Sequence, residues 1–218
     1  MIKINFNQIL SSTKKTVINA GFTLIELMVV IAIFTLITTI ALFDQGKMNS
    51  NVLLTNLAYD IALSVRQAQS YGIGVKYSDP VPSGIDGGYG IYVTKSKPDT
   101  LIIFHDVDGS GGYDPTYDGL PEKEYVFSNQ RGNSIKFLCA QQSTSSGTCK
   151  ADTLVNSISA VYVRPNPEPI FKSDAGTFGG PAYIVIKSSD NALCRAIVIE
   201  PSGQIRVEGS ESYGCKNT

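Results

Sequence analysis

The chain of 218 residues has no tryptophan and a single histidine, His105. One imidazole leaves little for Ser-His-Asp or Cys-His chemistry, because either arrangement would have to be built on that one base. His105 ends an apolar stretch, where a packed ring is the simpler use. Glycine-rich steps occur at Ser83-Gly84, Gly87-Gly88 and Gly179-Gly180, but none follows a phosphate-loop pattern, so they read as turns. No CxxC pair is present, which argues against a zinc site. A basic excess is missing too: the formal net charge is −1, which gives no support to a general nucleic-acid-binding surface.

Charge is scarcest where the chain is most apolar. Gly21 to Phe43 reads GFTLIELMVVIAIFTLITTIALF and carries one charged residue, Glu26. Crossing a bilayer as helix takes on the order of 20 apolar residues, and an acid in such a segment costs at least ~2.5 kcal/mol on insertion scales. Upstream stand Lys3, Lys14 and Lys15 with no acid, the pattern of a cytoplasmic leader. A secretory signal is cut after its apolar stretch. Here the small pair Ala20-Gly21 comes before it, so cleavage there discards the basic leader and keeps the hydrophobic helix. Loss of the three lysines leaves 15 of the 18 basic residues against 19 acidic ones, a net charge of −4.

Lys14-Lys15 followed by Gly21-Phe22-Thr23-Leu24-Ile25-Glu26-Leu27 resembles the prepilin leader and cleavage site of type IV pilins and type II secretion pseudopilins. The resemblance implies cleavage after Gly21 by a prepilin peptidase and methylation of the new amino terminus at Phe22. It assigns Glu26 the role of the glutamate that meets the amine of a neighbouring subunit during filament assembly. Either that amine or the one in its own chain would lower the burden of an anion in low dielectric. The plainer alternative is a carboxylate snorkelling to water at the membrane edge.

Downstream, Leu54, Leu57, Ala58, Ile61, Ala62, Val65 and Ala68 recur at three- and four-residue spacing, an amphipathic helix whose apolar stripe would dock on a globular domain. Gly72 and Gly74 supply a stop. No proline lies near the membrane exit, and a break around Asp44 to Asn51 is open. After Tyr71 the texture turns to short β-rich runs: Gly90 to Thr94, Leu101 to His105, Glu124 to Phe127, Ser134 to Leu138, Ala160 to Arg164, Tyr183 to Lys187, Arg195 to Glu200 and Gln204 to Val207. Pro201-Ser202-Gly203 makes a hairpin of the last two. The RPNPEP segment, Arg164 to Pro169, reads as a rigid loop.

The expected fold is α+β, a long N-terminal helix packed on an antiparallel β-sheet domain, as in pilins. Its expected divisions are a cleaved leader (1–21), a transmembrane assembly helix (22–43), an amphipathic continuation (44–73) and an extracytoplasmic β-rich domain (74–218). NLAYDIALSVRQAQSYGI, Asn56 to Ile73, and CRAIVIEPSGQIRV, Cys194 to Val207, are similar to H-type pseudopilins and FimT-like minor pilins, whose last strands carry a Ser/Thr-Gly turn and then a basic residue, here Arg206.

Four cysteines, Cys139, Cys149, Cys194 and Cys215, lie in the part expected outside the cytoplasm, where an even number favours two disulfides. Three pairings are open. Cys139 with Cys149 and Cys194 with Cys215 are favoured, since each closes a polar loop that lacks a core. The acidic stretch from Asp106 to Asp114 matches the opening of a calcium loop, with oxygen ligands at the first, third, fifth and ninth positions and Gly111 at the sixth. The twelfth position is Tyr117 instead of a bidentate Glu. Two uses compete: calcium held by Asp106, Asp108, Ser110, Asp114 and Asp118, or a connector that uses Asp and Gly for tight turns.

The sequence thus points to a non-enzymatic filament subunit, a minor pilin or pseudopilin. The resemblance implies as partners other pilin or pseudopilin subunits, a prepilin peptidase and an inner-membrane assembly platform. It also implies a single pass through the inner membrane, with the C-terminal domain extracytoplasmic and later part of a filament. The rival is a membrane-anchored tip adhesin or ligand-binding protein, DNA uptake being one variant, that uses the same leader.

Overall fold

The computed structural model describes residues 21–74, 87–118, 123–127, 132–141, 149 and 153–209, with the backbone alone for 43–49. The chain divides into two units between Gln45 and Gly46, and each is described by itself. Its one helix among the described residues, α1, is Leu24–Ile73.

In the first unit, Leu24–Leu42 is long and apolar enough to cross a membrane, and none of it is buried. Three hydroxyls interrupt the apolar surface without leaving polar groups unpaired. Thr35 donates to the Ala32 carbonyl at 2.9 Å, Thr38 to Phe34 at 2.7 Å and Thr39 to Thr35 at 2.7 Å. Such back-bonding makes threonine tolerable in hydrocarbon.

The second unit wraps two antiparallel sheets around the remainder of α1. Sheet A takes β1 (Tyr89–Thr94), β2 (Lys97–His105), β3 (Lys123–Val126), β6 (Ser157–Tyr162), β7 (Pro169–Ser173) and β8 (Gly176–Phe178), in the order β3-β2-β1-β6-β7-β8. Sheet B takes β4 (Ser134–Ala140), β5 (Leu154–Val155), β9 (Ala182–Lys187), β10 (Cys194–Ile199) and β11 (Ile205–Glu208), in the order β11-β10-β9-β4-β5. The strands form because β-branched residues alternate or run together where one or both faces are covered. Ile91 and Val93 of β1, Leu101 and Ile103 of β2, Ile184 and Ile186 of β9, and Ile197 and Ile199 of β10 enter one core with Leu54, Leu57, Ile61 and Val65 of α1. The helical stripe read from the sequence is the face that this core buries.

The α+β fold is therefore as expected, and every expected strand is present with ends shifted by a few residues. Three strands were not foreseen: β5 and β8 are too short to show a period, and β7 begins at Pro169, inside the stretch read as loop. The Arg164-Pro165 peptide is cis. The helix runs through the open break and ends at Ile73, between the two glycines expected to stop it, Gly72 and Gly74. The hairpin of β10 and β11 turns where expected: Gly203 N–H donates to the Glu200 carbonyl at 2.9 Å with φ of +81° at Gly203, a conformation that favours glycine. Arg206 then folds back on Glu200, with Nη2 2.7 Å from Oε1, and also pairs with Glu208.

Candidate functional site

The helix start is built on Thr23. Its Oγ1 accepts a hydrogen bond from the Glu26 backbone N–H at 3.3 Å, and its carbonyl accepts from Leu27 N–H at 3.2 Å. With Leu24 as the first helical residue, Thr23 is the N-cap and Glu26 the third position, the spacing of a capping box. The sequence reading missed this, although T-x-x-E before an apolar run was there to find. Glu26 thus stands in the first turn, where an anion is favoured by the helix dipole. Phe22 is exposed, and Gly21 has open space around it.

The acidic loop follows β2. Asp106 is buried, with Oδ1 accepting from Ser110 N–H at 3.0 Å and Oδ2 from Gly111 N–H at 2.9 Å. Asp118, also buried, accepts from Val107 N–H at 3.1 Å and Asp114 N–H at 2.7 Å. Asp108 sits exposed at the rim and accepts from Ser110 N–H at 3.0 Å. Ligand-capable oxygens of Asp106, Asp108 and Asp118 lie within 4.8 Å of one another. The other two residues expected to join them are used inside the loop. Ser110 Oγ donates to the Gly112 carbonyl at 3.0 Å, and Asp114 Oδ1 accepts from Thr116 N–H at 2.8 Å. Tyr117, at the twelfth position, points into solvent.

Electrostatics in this loop favour a proton or a cation. Burial pushes the Asp106 carboxyl up to about 6; hydrogen bonding from Gly111 opposes the shift and the neighbouring Asp118 and Asp108 add to it. Asp118 is raised as well, by burial first. A carboxyl that is easier to protonate folded than unfolded stabilises the fold in acid, and that contribution is lost as pH rises through its folded pKa. For Asp106 the contribution is fully present below about pH 4, is almost gone by about pH 6 and amounts to at most about 3 kcal/mol. The metal-free protein is therefore expected to melt at a higher temperature at pH 5 than at pH 7.5. Asp106→Asn should flatten the profile, and a profile that Asp106→Asn leaves unchanged contradicts this assignment.

Cys139 and Cys149 form a disulfide, with Cα atoms 5.9 Å apart. Cys194 is disulfide-bonded too, and Cys215, the other half of the expected pair, lies outside the described residues, as do Ser83 and Gly84. His105 is buried and its ring stacks on Tyr89 with centroids 4.8 Å apart, so it serves as a packed aromatic.

The fold and the helix start define a class: an apolar N-terminal helix that enters an antiparallel β-domain, opened by a prepilin-type segment. Residues 18–42 match the family described as the prokaryotic N-terminal methylation motif. Among solved structures it is similar to the type IV minor pilin FimU of Pseudomonas aeruginosa strain PAO1, at 12% identity over 76% of this chain and 100% of that one, with a TM-score of 0.42. No protein of curated function matches the chain.

Proposed function

We propose that the protein is a structural subunit, a minor pilin or pseudopilin, of a type IV pilus or a type II secretion pseudopilus. The observation that carries this reading is the methylation motif over residues 18–42 placed on an unburied apolar helix. An apolar helix that is unburied among the described residues needs lipid before assembly and other helices after it. In this reading a prepilin peptidase cuts after Gly21 and Phe22 is methylated. The helix waits in the inner membrane with the β-domain outside the cytoplasm, and a platform protein drives it into a bundle of like helices. Head-to-tail contacts of that kind do not close on themselves, as a filament requires. No catalytic step is assigned to the chain. Shearing cells and probing the filament fraction tests the reading. Recovery of the processed chain with other pilins is expected, and its complete retention in the membrane, with filaments present, contradicts it.

The acidic loop supports a second, local assignment. Asp106, Asp108 and Asp118 are proposed to hold calcium, a hard cation that accepts irregular oxygen shells. Three converging carboxylates, two of them buried, fit its charge. Millimolar calcium should raise the melting temperature at pH 7.5 and remove the pH dependence described above. The absence of any calorimetric signal and of any thermal shift removes the assignment.

A further inference from the structure

We draw no further inference here: the strongest candidate, the exposed stripe of Val52, Tyr59 and Leu63 on the face of α1 that the two sheets leave open, would only extend the helix packing already proposed for the filament, and nothing in the structure shows what covers it.

Discussion

Glu26→Ala is expected to give a chain that is still cut after Gly21 and still anchored, yet is depleted from sheared filaments on the order of a hundredfold. The magnitude follows from leaving a buried ammonium without its counter-ion, a loss of about 3 kcal/mol or more. The capping geometry sets a rival explanation, because Glu26 occupies the third helical position behind the Thr23 cap. Glutamine serves a capping box as well as glutamate does, so Glu26→Gln separates the two roles. If the carboxylate acts through its charge, Gln is as defective as Ala in filament incorporation. If it acts as a cap, Gln restores incorporation, and the assembly role is lost.

Gly72→Ala is expected to destabilise the β-domain by about 3 kcal/mol, read as a lower denaturant midpoint at unchanged slope. Propensity alone predicts the opposite, since alanine is favoured over glycine within a helix by about 1 kcal/mol. The site reverses the sign. A Cβ on Gly72 would lie 2.2 Å from the Tyr162 carbonyl oxygen and 2.8 Å from its Cβ, and Tyr162 is wholly buried at the end of β6. Both obstacles belong to fixed parts of the structure, so no flexible side chain can give way. Equal or greater stability in the alanine variant would show that α1 and β6 do not approach as described.

Gly72 also shows what sequence patterns carry and what they do not. The pair Gly72 and Gly74 reads as a stop, and the helix ends between them at Ile73; what the pattern does not carry is that Gly72 also answers to a contact with a strand 90 residues away in sequence. The core was legible because it is periodic: the stripe from Leu54 to Ala68 and the Ile/Val pairs of β1, β2, β9 and β10 carry their burial in their spacing. β7 was hidden because Pro169 and its proline-rich approach argue for a loop, although a proline is tolerated at the first residue of a strand.

The acidic loop was legible in part. Spacing picked out Asp106 and Asp108, but a linear motif does not say that Asp114 would turn back on Thr116 N–H or that Ser110 would bond Gly112.

The account rests most heavily on the prepilin-type segment, and mass spectrometry of the protein purified from its native membrane tests that most directly. The expected result is an amino terminus at Phe22 carrying one added methyl group, with Glu26 and the whole apolar helix retained. An intact leader, or a terminus beyond Phe43, would contradict it.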